Sequence, residues 1–290
     1  MRPSRLAAWA LLAPALLVVT AGLVAPMVWL LHFSLLQSDT GMVVGPALSL
    51  DNYRRLLAAT EYQPVFATTL RVACQVTLIA TLLGYPMALW MLKAPGRLAR
   101  WLTLIVLSPL MVSIVVTSYG WLVLLGNHGA INRLLLWSGL IDQPVKLLYT
   151  ELAITLGLTY IVLPFMILSL LSALEKIDTR VDEAAAVLGA SPWRAFWHVT
   201  APLSLPGWVS GAILAFTISM SAYVTPAVLG PSGPQFVATA IFNLFVTLFD
   251  WGLGAAMAVV LLAFGLALVF GFLKLVERLG GVAVNGTGRG

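Results

Sequence analysis

Three histidines, one cysteine and eleven carboxylates are what the chain offers for catalysis or metal binding. Their spacing argues against both. His32, His128 and His198 lie in separate regions, with no metal-ligand spacing among them. Cys74 sits in an apolar stretch, has no partner for an internal disulfide and reads as a small core residue. No nucleophile–base pair is visible. The chain has no G-x-x-x-x-G-K-[ST] phosphate loop and no Gly-Lys pair at all, so it does not bind ATP through such a loop. The groups that could meet a solute are hydroxyls and one acid. Thr217, Ser219, Ser221, Tyr223 and Thr225 fall in one apolar window, Ser113, Thr117 and Ser118 in another, and Thr77 in a third. Each could line a path or bond back to its own helix, as hydroxyls in membrane helices commonly do. Asp250 precedes the last window. It could attract a cationic solute or cap the helix that follows.

Segment 175–206 is patterned differently. Thr179-Arg180-Val181-Asp182 has the form of a capping box, and Asp182 and Glu183 place acids in a first turn, where they favour the helix dipole. Glu183-Ala184-Ala185-Ala186-Val187-Leu188 continues as strong helix, and Gly189 is placed to end it in a left-handed cap. Ser191 can cap a second helix with Pro192 in its first position. That helix would carry Trp193, Phe196 and Trp197 and stop at Pro202 and Pro206. The expected product is two short helices about a tight glycine turn. Such a knob either fits a groove on another protein or rests on lipid headgroups, with Trp193 and Trp197 as interface anchors.

The elements that must position these residues follow from composition. Hydrophobic residues make up 60% of the 290 and charged residues 9%. A soluble domain carries about 25% charged residues to cover its wetted surface. This chain therefore has lipid as its main solvent. Six charge-free windows reach the roughly 20 residues a spanning helix needs: Trp9–Leu36, Val72–Leu92, Trp101–Leu125, Leu152–Leu174, Gly207–Leu229 and Trp251–Leu273. The first follows Arg2 and Arg5 and exceeds the roughly 7–15 apolar residues of a cleavable signal, so it reads as a retained span. Prolines 14, 26, 86, 109, 164 and 226 mark kinks or broken ends. With the N-terminus in the cytoplasm, eleven of the 16 Lys and Arg residues lie on that side, which places both termini there. The net charge of +5 then reflects orientation and anionic headgroups rather than nucleic acid. Outside lie segment 37–65, with a short interfacial helix capped by Asp51, segment 126–150, and segment 230–249, whose Phe236–Leu248 reads as a re-entrant or interfacial helix. The tail 280–290 is glycine-rich and expected to be disordered.

Glu183-Ala184-Ala185, Gly189, Val199 and Pro202 resemble the EAA signature of permease subunits of ATP-binding cassette importers: E-A-A, three residues, G, nine residues, I, one residue, L-P. Val199 stands for the isoleucine, and Ala201 departs from the leucine. Leu50–Leu57, Gly126–Leu140, Leu163-Pro164-Phe165-Met166-Ile167, Leu188-Gly189-Ala190-Ser191 and Tyr223–Gly230 are similar to the first permease component of spermidine/putrescine-type importers. The resemblance implies an all-α, six-helix type I importer permease formed by residues 1–290 as a single domain, in the bacterial inner membrane. It implies that loop 175–206 is a coupling helix seated in an ATPase subunit. Glu183 would contact the ATPase, Ala184 and Ala185 would permit close approach, Gly189 would provide the turn, and Ala190, Ser191 and Pro202 would complete the ATPase-coupling set. The implied partners are an ABC ATPase dimer that uses ATP and Mg, a second homologous permease and a periplasmic binding protein. No cofactor is expected on this chain, and the solute would be a polyamine or related small molecule. An ion-gradient-driven carrier is the alternative, although such carriers usually place ionisable residues near the midplane. A membrane-embedded enzyme would need a catalytic constellation, and none is evident.

Overall fold

In a computed structural model, the structure describes residues 5–39, 42–178, 180–181, 187, 189–233 and 235–285. Apolar sequence becomes helix here because hydrocarbon offers the backbone no other hydrogen-bond partner. Among the described residues six stretches are helical, long and apolar enough to cross a bilayer: Leu12–Leu35, Tyr62–Lys93, Ile114–Trp137, Glu151–Leu174, Pro192–Met220 and Trp251–Lys274. The chain divides into two compact units, Met1–Gln63 with Ala240–Phe264, and Pro64–Thr239 with Gly265–Gly290.

The first unit contains α1 (Arg5–Leu35), an antiparallel hairpin of β1 (Leu36–Asp39) and β2 (Met42–Leu48), and α2 (Asp51–Ala58). The hairpin was not expected from the sequence. Buried Asn52 closes the end of α1: its side-chain amide donates to the carbonyls of Ser34 at 3.1 Å and Leu36 at 2.8 Å. A helix end has carbonyls without an internal partner, and Asn52 supplies donors to that end. Asp51 is not the cap expected for α2. Leu50 holds that position, and the Asp51 N–H donates to Ser49 Oγ at 3.0 Å, so Ser49 supplies the acceptor instead.

The second unit is built on α3 (Tyr62–Lys93), α7 (Glu151–Leu174) and α9 (Ala201–Met220). Its core gathers Val72, Val76, Ile154, Leu158, Met166 and Leu170. Small residues let these helices approach closely. A Cβ on Gly211 would lie 2.8 Å from Met166 Sδ, and one on Gly84 would lie 2.9 Å from Met166 Cγ. A Cβ on Gly207 would collide with Ala173 and the Ser169 carbonyl.

Several boundaries differ from the charge-free windows. Helix α3 begins at Tyr62, ahead of Val72, and includes Arg71, which is paired with Glu151. The window 101–125 is not one helix. It divides into α4 (Gly96–Leu107), a 3₁₀ turn (Ser108–Met111) and α5 (Ile114–Leu125), followed by α6 (Ala130–Trp137). Pro109 has no N–H to donate, and its ring obstructs the carbonyl one turn back. The window 207–229 is also interrupted. Helix α9 stops at Met220, and α10 (Val224–Leu229) restarts beyond it, because Pro226 cannot close a turn onto Ala222.

Pro202 and Pro206 do not stop the helix before them, contrary to the sequence expectation. The short helix α8 (Pro192–Ala195) runs through a π-helical turn (Phe196–Thr200) into α9. The Ala201 N–H donates to the Phe196 carbonyl five residues back, so the wider turn shifts the pairing by one residue just before Pro202. The segment expected to be re-entrant or interfacial forms α11 (Val237–Val246). Finally, α12 (Trp251–Asn285) continues through Gly280 and Gly281, so residues 280–285 are helical rather than disordered; residues 286–290 lie outside the described ones. Extending an existing helix through a glycine costs only about 1 kcal/mol relative to alanine.

Candidate functional site

In loop 175–206, Glu183, Ala184 and Ala185 lie outside the described residues. The turn after them is described. Gly189 has φ of +80°, a left-handed conformation in which any side chain would be strained. Ala190 follows, and Ser191 has extended backbone and accepts the Arg194 N–H on Oγ at 3.4 Å. Pro192 occupies the first turn of α8, where its missing donor costs nothing. Pro202 instead follows the π turn inside the continuous helical run that becomes α9.

Aromatic packing roots this segment in the membrane helices. Trp193, Phe196 and Trp197 form a cluster with ring centroids 5.1–6.3 Å apart. Tyr85 of α3 meets Phe196 edge-on at 5.3 Å, and its hydroxyl shares a hydrogen bond with Ser204 of α9. Trp208 of α9 donates to Thr81 of α3 at 3.1 Å. With Gly207 closing α9 on α7, a displacement of α8 has little slack to absorb it before reaching α3 and α7. The arrangement suits mechanical transmission.

The hydroxyls chosen from the sequence do not converge on one surface. Ser219 is buried and donates to the Ala215 carbonyl of its own helix at 2.7 Å. Thr225 is buried with its hydroxyl 3.2 Å from that of Ser118, and its methyl abuts Gly157. Thr77 bonds back to Ala73 at 2.8 Å. Thr217, Ser221 and Tyr223 are exposed and lie at or just before the break between α9 and α10, where Ser221 donates to the Thr217 carbonyl at 2.9 Å. Ser113 is exposed and Thr117 half-buried at the start of α5.

Asp250, in the first unit, meets both Leu253 and Arg55. Oδ1 accepts the Leu253 N–H at 3.1 Å and caps α12, while Oδ2 lies 2.6 Å from Arg55 Nη2. Sequence reasoning weighed the cap but missed Arg55. The available signal was a cation on the amphipathic segment 50–57 and an acid at a span end placed on the same side. Also missed was Thr69, whose hydroxyl donates to the Val65 carbonyl at 2.9 Å and accepts the Val237 N–H at 3.0 Å. Among the described residues, no three or more His, Cys, Asp or Glu side chains are grouped to hold a metal.

Six apolar helices of spanning length define a multi-pass membrane protein, and exposed hydroxyls beside a helix break are placed where a solute could meet them. Known proteins carry this further. Residues 80–279 match the family described as binding-protein-dependent transport system inner membrane component. The chain is 33% identical over 251 residues to the spermidine/putrescine transport system permease protein PotB of Escherichia coli K12, covering 87% of this chain and 89% of that one. It is also 33% identical over 236 residues to PotB of Salmonella typhimurium SL1344, covering 81% and 82%. In fold it resembles a chain of a bacterial alginate ABC transporter solved in complex with an alginate pentasaccharide-bound periplasmic protein. There the TM-score is 0.79 at 18% identity, with 94% of each chain covered. The chain belongs to the binding-protein-dependent transport inner-membrane component family. It is an ABC importer permease, a multi-pass inner-membrane transport component rather than an enzyme.

Proposed function

We infer that residues 1–290 act as a single permease domain forming half of a translocation pathway, and that loop 175–206 couples it to a separate ATPase. The observation that carries this reading is the spacing of Glu183, Ala184, Ala185 and Gly189 beside a segment that turns left-handed at Gly189 and runs from Ser191 without a break into α9. In this reading both termini and the loop are cytoplasmic. Glu183 contacts the ATPase, Ala184 and Ala185 allow close approach, and Gly189 with Ala190 and Ser191 sets the turn. Closure of an ABC ATPase dimer on ATP and Mg pushes the loop. The π turn, Pro202 and the Gly207 contact pass the push to α9 and α7, a rigid-body switch between packed halves.

The remaining partners are a second homologous permease and a periplasmic binding protein that delivers the solute. The 33% identity to spermidine/putrescine permeases supports a polyamine or related small solute. Helix α9 ends at the break beside Ser221, and the last carbonyls of a helix form its negative pole. With Thr217, Ser221 and Tyr223 exposed beside it, that pole suits an ammonium group. Ser219 and Thr225 support the wall from within. Asp250, already paired with Arg55, holds the end of its own unit together rather than the path.

Uptake in proteoliposomes tests this reading. With both permeases, the ATPase, the binding protein and internal ATP, labelled spermidine should accumulate, and uptake should cease when the ATPase is omitted. Uptake that persisted without the ATPase and followed an imposed ion gradient would favour a secondary carrier and contradict it.

A further inference from the structure

The second unit carries an apolar groove between α3 and the segment from Ala190 to Trp208, whose walls share Tyr85, Phe196 and Trp208 with the packing described above. It has a volume of about 890 Å³ and runs along α3 past Leu82, Pro86, Leu89 and Lys93, which recur at helical spacing and so share one face. The opposite wall is formed by Trp193, Trp197 and Trp208. From Thr81 to Lys93 the groove follows about 18 Å of helix at 1.5 Å per residue. That is close to one leaflet, half of a hydrocarbon core about 30 Å thick.

The chemistry of the lining changes along this length. Deep in the groove, Thr81 is occupied by the Trp208 indole at 3.1 Å, and the Tyr85 hydroxyl by Ser204, so these polar groups are already satisfied and the wall suits hydrocarbon. At the Lys93 end, Trp193 and Trp197 are 70% and 53% exposed. Exposed indoles are characteristic of headgroup depth. Among the described lining residues Lys93 is the one charged group, with no Asp or Glu beside it. Arg194 follows Trp193 directly in the chain, and Arg97 and Arg100 lie on α4 a few residues beyond Lys93.

We propose that this groove binds one anionic phospholipid, with its headgroup phosphate at Lys93 and an acyl chain laid along α3 toward Thr81. The gradient from a satisfied apolar floor to a tryptophan-flanked cationic mouth matches a lipid from tail to head. The one charged group in the described lining is a cation, which a headgroup phosphate complements.

The groove's own tryptophans allow a direct test. The full chain, with the seven of its ten tryptophans that lie outside the groove replaced by phenylalanine, is purified in an uncharged detergent and titrated with brominated phosphatidylglycerol and separately with brominated phosphatidylcholine while tryptophan fluorescence is read. Phosphatidylglycerol should quench saturably, with a midpoint about fivefold below that of phosphatidylcholine, the preference one lysine near an anionic headgroup provides. Lys93→Ala should remove the preference and Lys93→Arg should retain it. Leu89→Phe, which narrows the groove without changing charge, should weaken quenching by both lipids, with circular dichroism unchanged. Equal midpoints for the two lipids with Lys93 in place would overturn the proposal. So would disulfide or bismaleimide capture of Leu89→Cys by another protein subunit in native membranes, which would give the groove to a protein helix.

Discussion

Where α7 meets α9, contact depends on a missing side chain: Gly207 lies against Ala173 and the backbone of Ser169. In the first unit, by contrast, contact depends on charge, with Arg55 reaching Asp250 at 2.6 Å. The two joints reflect different solvents. Between helices in hydrocarbon, burying apolar surface gains little, so close packing and hydrogen bonds hold them together. At a helix end within reach of water, an ion pair can form because one partner stays hydrated: the Arg55 side chain is 41% exposed and that of Asp250 8%. Steric joints should therefore fail abruptly on adding a methyl group, and charged joints should fail gradually.

The largest effect is expected at Gly207. Gly207→Ala should destabilise the protein by roughly 3 kcal/mol, the upper part of the usual overpacking range, because backbone must move. Gly120, in α5, has open space where its Cβ would stand. Gly120→Ala should be neutral or stabilising by up to about 1 kcal/mol. Thermal unfolding in detergent would check both. Equal effects at the two sites would remove the steric half of the comparison.

The ion pair should give a smaller, divisible effect. In a double-mutant cycle of Arg55→Gln and Asp250→Asn, the coupling should be about 1 kcal/mol, reduced from buried-pair values by the exposure of Arg55. Asp250→Ala should cost about 1 kcal/mol beyond Asp250→Asn, since asparagine can still accept the Leu253 N–H. A coupling near zero would leave capping as the role of Asp250. Smallest of all, Ser191→Ala should cost roughly 0.5 kcal/mol, because the bond it removes is long. It should appear as faster amide exchange at Arg194, with the global unfolding temperature unchanged.

How much of this was legible in the sequence depended on whether the cause lay within a few residues. Apolar run length located helices, and Ser191 before Pro192 announced a helix start, because span length and capping are local physics. Gly189 could be placed in a left-handed turn for the same reason. The breaks at 108–113 and 221–223 were only half legible: Pro109 and Pro226 signalled trouble, but a proline alone does not say whether a helix kinks, ends or widens. At Pro202 the chain widened into a π turn, whose Phe196 packs on Tyr85, far away in sequence. The hairpin 36–48 was missed because its strands lack a clear alternating pattern. Arg55–Asp250 and Thr69–Val237 were missed because each joins segments far apart in the chain. The hydroxyls show the same limit, since apolar windows identify which residues enter the membrane but not which face they take. Ser219 and Thr225 turned inward, while Thr217 and Ser221 remained exposed.

The central claim is that loop 175–206 transmits the ATPase stroke, and uncoupling tests it most directly. The whole importer, carrying either Glu183→Lys or Gly189→Val in this chain, is reconstituted into proteoliposomes, and ATP hydrolysis and solute uptake are measured on the same preparation. The account predicts normal insertion of both variants, continued ATP hydrolysis and uptake reduced at least about tenfold, equivalent to about 1.4 kcal/mol of lost coupling. Uptake at the unaltered rate in both variants, with hydrolysis also unchanged, would contradict it.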